Sequence, residues 1–151
     1  MKIMKKILAN NKKARHDYFL EKKYEAGIEL KGVEVKSIRA GKLSIKESHV
    51  GDYKRELYIY DMHVTPFENA YEKNIDPVRR RKLLLHRKEI DSLIGKKTQA
   101  GYTIVVNSIY LKDNLIKAEI ALARGKKLHD KRETLKKRDD QRRIDRALKQ
   151  Y

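Results

Sequence analysis

Tyr102-Thr103-Ile104-Val105-Val106-Asn107-Ser108-Ile109-Tyr110-Leu111, then Lys112-Asp113-Asn114, then Leu115-Ile116-Lys117-Ala118-Glu119-Ile120-Ala121-Leu122-Ala123, decides the fold. The first run is dense in β-branched and aromatic side chains, which fit a pleated, half-buried surface. In the second, Ile116, Ala118, Ile120 and Leu122 alternate with Lys117, Glu119, Ala121 and Ala123. That is the period of a strand with one face buried. Lys112-Asp113-Asn114 joins the two as a hairpin.

The same period recurs toward the N-terminus. Tyr24, Ala26, Ile28 and Leu30 alternate with Glu25, Gly27 and Glu29. Leu57 to Val64 is rich in Tyr, Ile and Val, and Pro66 stops it. Asp76-Pro77 marks a turn. The following Arg79-Arg80-Arg81-Lys82 reads as a solvated basic loop that extends a phosphate track, and Leu83-Leu84-Leu85 as core. Two short helices fit between the strands. One spans Val33 to Ala40 with Gly41 as its C-cap, the other His86 to about Lys97 with Gly101 beyond it. Many strands, few helices and a basic surface predict a mainly β fold with flanking helices. They fit a small closed barrel, a class of which the oligonucleotide-binding barrel is one member, though period alone does not establish closure.

Charge divides the chain. It has 151 residues with 38 Lys and Arg against 21 Asp and Glu, a formal net charge of +17. Such an excess attracts a polyanion; nucleic acid is the first candidate and an anionic membrane surface the second. Composition changes at Gly125, so residues 1–125 are expected to form the domain and 126–151 a basic tail. The tail is nearly all charge, with sparse Leu128, Leu135, Ile144 and Leu148, and buries too little apolar surface to order itself alone. Ile144, Leu148 and Tyr151 share helical spacing and would line one face of a helix formed against a partner. Lys5 and Lys6 split the apolar N-terminus, so it makes no signal peptide. No run of about 18 apolar residues occurs, which predicts no membrane span and a soluble, cytoplasmic protein. With no cysteine there is no disulfide and no thiolate metal site.

Catalytic patterns are missing from the sequence. His16, His49, His63, His86 and His129 are scattered, without the paired spacing of a metal site. Gly41-Lys42 and Gly125-Lys126 lack the upstream glycine of a phosphate loop. Asp139-Asp140 read as solvated charge. The expectation is a binding protein without enzymatic activity, cofactor or metal. Asn11-Lys12-Lys13-Ala14-Arg15-His16 places cations and an amide in a basic N-terminal arm before Tyr18-Phe19, two aromatics read as core. Glu25 lies on the polar face of its strand. A carboxylate there accepts hydrogen bonds from base N–H groups, which Lys cannot do.

Several of these segments, in this order, resemble the SsrA-binding protein family (small protein B). They are Asn11 to Phe19, Glu25-Ala26-Gly27, Glu34 to Lys42, Arg81 to His86, and Ala123-Arg124-Gly125-Lys126-Lys127-Leu128-His129-Asp130-Lys131-Arg132-Glu133. The resemblance implies an oligonucleotide-binding-type barrel with a tail disordered in solution and helical on the ribosome. It implies binding to the tRNA-like domain of transfer-messenger RNA. Delivery with elongation factor Tu to ribosomes stalled on truncated messages follows from it, as does action as a monomer. Asn11, Lys12, Arg15, His16, Glu25 and Leu84 match positions tied to RNA binding, with Lys13 in the same arm and Lys36, Arg39 and Lys82 in matching motifs. Gly125, Lys126 and Lys127 match a hinge. His129, Asp130, Lys131 and Arg132 match the segment near the decoding centre of the small subunit, and the tail beyond is expected in the mRNA channel. The sequence departs at His49, where a tyrosine is common, and at Lys54-Arg55, which lacks an Asn-Gly turn. It also lacks a tail tryptophan, leaving Leu148 as anchor.

Overall fold

A computed structural model describes residues 5–66, 75–99 and 101–126. In chain order the elements are β1 (Lys5–Asn10), α1 (Lys12–Asp17), β2 (Tyr18–Ile28), α2 (Gly32–Arg39), β3 (Leu43–Ser44) and β4 (His49–Tyr53). They continue with β5 (Glu56–Tyr60), β6 (His63–Val64), β7 (Arg81–Leu84), α3 (Arg87–Lys97), β8 (Tyr102–Lys112) and β9 (Leu115–Gly125).

The deciding hairpin is β8–β9, antiparallel from Tyr102 opposite Arg124 to Lys112 opposite Leu115. Its turn is two residues, Asp113 (φ 49°) and Asn114 (φ 68°), not the three expected. Both are left-handed, as the twist-matched hairpin turn requires, and Asp and Asn tolerate that region best after Gly. Around this hairpin the strands pair β8–β4–β5–β7–β2–β9 and return to β8. The sheet therefore closes into a barrel, as expected, and no edge is left along the ring. β1 lengthens the wall by pairing with the second half of β8, Lys5 opposite Lys112 through Asn10 opposite Ser108.

The helices match their sequence signals. α2 stops at Ala40, and Gly41 follows at φ +75°. The Gly41 N–H donates to the Ile38 carbonyl and the Lys42 N–H to that of Ser37, both at 2.9 Å. This is the glycine-terminated closure that satisfies the last carbonyls. α3 begins after His86, whose N–H donates to Glu89 Oε1 at 3.4 Å.

The arm Asn11 to His16 is α1 with its cap, and β1 precedes it. Several expectations need correction. β2 starts at Tyr18, six residues before its alternation begins, because a bulge between Leu20 and Lys22 switches the faces. Before the bulge, Tyr18 and Leu20 pack on a small cluster of Ala14, Val105, Ala121 and Ala123, where three alanines let α1 lie close to the sheet. After it, Tyr24, Ala26 and Ile28 enter the main core. Phe19, read as core, is exposed. The Leu57–Val64 run also breaks, at Asp61 with φ 59°. The Lys54-Arg55 turn takes φ 48° and 63° without a glycine, a conformation costing roughly 1–2 kcal/mol per residue.

A further correction is Arg81. It is no solvated cation: β7 points it inward, fully buried opposite Ile59. Glu34, at the start of α2, is 3% exposed and accepts from Arg81 Nε at 2.7 Å and Nη2 at 2.6 Å. Arg81 Nη1 also donates to the Met62 carbonyl at 2.7 Å and Nη2 to that of Pro77 at 3.2 Å. Arg79 Nε adds a bond to Glu34 at 3.1 Å, and the Lys31 N–H another at 2.9 Å. Burial alone raises the Glu34 carboxyl, but these donors outweigh it and hold it below its ordinary value. One carboxylate thus ties α2, β7 and the segment before β7 together. Among the described residues no helix is long and apolar enough to cross a membrane.

Candidate nucleic-acid interface

β2 lies between β7 and β9, and its outward residues share one face with theirs. Glu25 stands there, 39% exposed. Its Oε2 accepts from the Tyr110 hydroxyl at 2.5 Å, and Lys112 Nζ reaches both oxygens at 3.2 and 3.3 Å. The Tyr110 bond, with Lys112 and Lys117, outweighs burial and holds the carboxyl below its ordinary range. Burial and the same bond push the Tyr110 hydroxyl upward, so it stays a donor. The carboxylate is thus fixed, charged and still partly open, with acceptor capacity left on Oε1 beside the Lys112 bond.

Leu84 joins it. It lies opposite Gly27, 51% exposed. A Cβ on Gly27 would meet Leu84 Cβ at 3.2 Å, so the glycine makes room for the leucine to lie over β2. Glu25, Gly27, Lys82, Leu84, His86 and Lys117 line an open groove of about 600 Å³. A fixed acceptor, an apolar surface and flanking cations in one groove are what an RNA base and its phosphates need.

The arm residues sit at the other end of β2. Asn11 does not face outward: it is 3% exposed. Its Oδ1 accepts from the Ala14 N–H at 3.0 Å, capping α1, and Nδ2 donates to the Ile45 and Val106 carbonyls at 3.0 Å each. Asn11 therefore positions α1 on the barrel. Lys12, Lys13 and Arg15 project from α1 and are exposed; Lys13 pairs with Glu47 at 3.3 Å. His16 is half-buried, its Nδ1 3.0 Å from Asp17 Oδ1. Lys36 and Arg39 are exposed on α2, and Arg39 Nη2 donates to the Asn114 carbonyl at 3.3 Å. Lys82 sits on β7 opposite Tyr58.

Gly125 closes β9 opposite Tyr18. The next residue is fastened: the Lys126 N–H donates to the Asp17 carbonyl at 2.9 Å, and Nζ to that of Arg15 at 3.3 Å. Lys126 Nζ and Arg124 also lie 5.1 and 5.8 Å from the exposed Phe19 ring. Lys127, His129, Asp130, Lys131, Arg132, Leu148 and the Ile144–Tyr151 stripe lie outside the described residues.

Sequence reasoning missed Tyr110, Lys112 and Lys117 as partners of Glu25. Lys117 was legible, as the polar member of an alternating strand opposite Gly27. Tyr110 was not, because the bulge between Val106 and Ser108 reverses which residues of β8 face outward. Phe19 lies opposite Arg124 near the end of β9, on the face away from the α1 cluster.

Fold and surface define a class: a small, closed, strongly basic barrel of the oligonucleotide-binding type. A family profile described as "SmpB protein" matches residues 8–150. An "SsrA-binding protein" of Lachnoclostridium phytofermentans is 52% identical over 144 residues, 95% of this chain and 94% of that protein. One from Acetivibrio thermocellus is 53% identical over 146 residues, covering 97% and 95%. A chain from a solved structure described as "tmRNA-SmpB: a journey to the center of the bacterial ribosome" superposes with a TM-score of 0.66. It is 45% identical, and the match covers 80% of this chain and 85% of that one. The chain belongs to the SmpB family.

Proposed function

We propose that this chain is an RNA-binding adaptor for ribosome rescue. It holds the tRNA-like domain of transfer-messenger RNA on the face carrying Glu25 and Leu84. With elongation factor Tu it carries that RNA to ribosomes stalled on truncated messages, acting as a cytoplasmic monomer and catalysing no step itself. Relatives named for SsrA binding and a structural neighbour described with tmRNA on the ribosome support the partners. The observation that carries the RNA face is the Tyr110–Glu25–Lys112 network beside exposed Leu84. A charged carboxylate is an odd choice on a phosphate-binding surface unless it receives a donor, and base edges present donors. Lys12, Lys13 and Arg15 supply phosphate contacts from α1.

The tail is the second half of the device. A stalled ribosome without a codon offers a vacant channel lined by phosphates. A cationic segment entering it releases counterions and gains a partner for Leu148 and its neighbours. His129 would stack on a base of the decoding centre. Deleting residues 131–151 is therefore expected to leave binding to transfer-messenger RNA within about twofold, a small part of the salt-dependent phosphate attraction. The same deletion should abolish peptide tagging on stalled ribosomes. Collapse of RNA binding in a filter assay would show that the tail belongs to the RNA site and break the proposed division.

A further inference from the structure

Beyond Lys82 the outer face of the barrel carries a run of rings that the proposed function leaves unused. In β4–β5, His49 lies opposite Tyr60, Gly51 opposite Tyr58 and Tyr53 opposite Glu56, so all six residues share the outer face. His49 and Tyr60 stack at 5.4 Å with a 12° interplanar angle. Tyr53 meets Tyr58 edge-on at 6.3 Å, and Tyr58 lies 6.5 Å from Tyr60. Gly51 makes room: a Cβ there would meet Tyr60 Cε2 at 2.8 Å. Arg80 closes the row, its guanidinium carbon 4.4 Å from the Tyr53 ring and 4.9 Å from that of Tyr58. Lys54 Nζ stands 5.4 Å from Tyr53. Tyr53 remains 43% exposed despite these neighbours.

We infer that this hairpin face is a stacking platform for unpaired RNA bases. A row of flat rings could equally suit a protein, but its charge selects the occupant. The rings are interleaved with Arg80 and Lys54, and the two carboxylates beside them are already engaged, Glu56 by Arg87 and Asp61 3.7 Å from His49 Nδ1. The Arg80 guanidinium already stands over two tyrosine rings, and a guanidinium offers a flat, cationic surface on which a base stacks beside its phosphate. The platform is also continuous with the Glu25 groove. Tyr58 pairs with Lys82, and Lys82 lines that groove together with Leu84. An RNA held at Glu25 would run across Lys82 and lay its unpaired bases on Tyr58, Arg80 and Tyr53. The continuity rests on the RNA-adaptor reading; the platform itself does not.

The test uses the full chain and two labelled hexamers of equal charge, hexaadenylate and an abasic phosphodiester. Fluorescence anisotropy should show wild type binding the base-bearing hexamer about 10-fold more tightly, the size of one or two stacked bases. Tyr53→Ser with Arg80→Gln should bind both hexamers alike, Tyr53→Phe should keep the discrimination, and Arg80→Gln alone should lose part of it. Equal binding of the two hexamers by wild type, as for a face made for protein, overturns the platform. So does discrimination that survives the double substitution in a protein with wild-type melting. Loss of preference for the tRNA-like fragment, with hexamer discrimination intact, would strike the proposed function and leave the platform standing.

Discussion

Glu34→Ala is expected to destabilise the barrel by about 3–5 kcal/mol, a large share of a domain's total stability. The reason is what it leaves behind. Arg81 has no exposed surface, and without Glu34 its charge is buried against backbone carbonyls, with Asp76 attracting it without a direct hydrogen bond. Arg79 loses its carboxylate as well. Urea unfolding followed by circular dichroism reads the loss directly. Glu47→Ala, which breaks the exposed pair with Lys13, should cost under about 1 kcal/mol in the same assay. Replacing Glu34, Arg79 and Arg81 together with apolar residues should recover much of the loss, since no unpaired charge remains. Acid provides a second check. The Glu34 carboxyl is depressed in the fold, so its stabilisation is complete above its ordinary value of 4.5 and fades as pH falls through the folded value. Wild type should therefore weaken below about pH 4.5, and Glu34→Ala should show a shallower acid limb.

Glu25→Gln is expected to weaken binding to the tRNA-like domain by about 10- to 100-fold, the range for losing one well-placed base-edge acceptor. The amide keeps the shape and one acceptor oxygen for the Tyr110 hydroxyl. It loses the charge that Lys112 completes and presents donors where acceptors stood. Because Glu25 is partly exposed, stability should scarcely change, which separates a binding defect from a folding one. Glu21→Gln, an exposed carboxylate on the same strand, should bind like wild type. Unchanged RNA binding in Glu25→Gln would reduce the Tyr110–Glu25–Lys112 cluster to an ordinary surface ion pair.

Regular stretches of the fold were legible in the sequence. The β8–β9 hairpin and both longer helices follow from period, turn residues and glycine caps, whereas closure into a barrel does not follow from period and came from the resemblance. What escaped lies where chain geometry departs from period. One bulge in β2 hid six residues of strand; another in β8 brought Tyr110 to Glu25. Arg81 escaped for a different reason. Four cations in a row read as solvated until the barrel shows that alternate members face inward, and the carboxylate that compensates Arg81 lies 47 residues away in sequence. Of the site, Glu25 was legible as the polar member of an alternating strand, whereas Asn11 gave no sign that its amide would be spent on α1 and two carbonyls. Leu84 read as core by composition; only the resemblance marked it as contact surface, and its exposure agrees with that role.

The proposed selection of one RNA by the barrel's Glu25–Leu84 face is distinct from the general attraction of a +17 chain for polyanions. Affinities of the full chain for the tRNA-like fragment of transfer-messenger RNA and for ordinary tRNA, measured at matched salt over a salt series, test it most directly. Both should fall with salt by roughly 0.7–0.9 in log affinity per neutralised phosphate, as log salt rises. A preference for the tRNA-like fragment should persist across the series and shrink in Glu25→Gln. Equal affinity for the two RNAs at every salt concentration would contradict it.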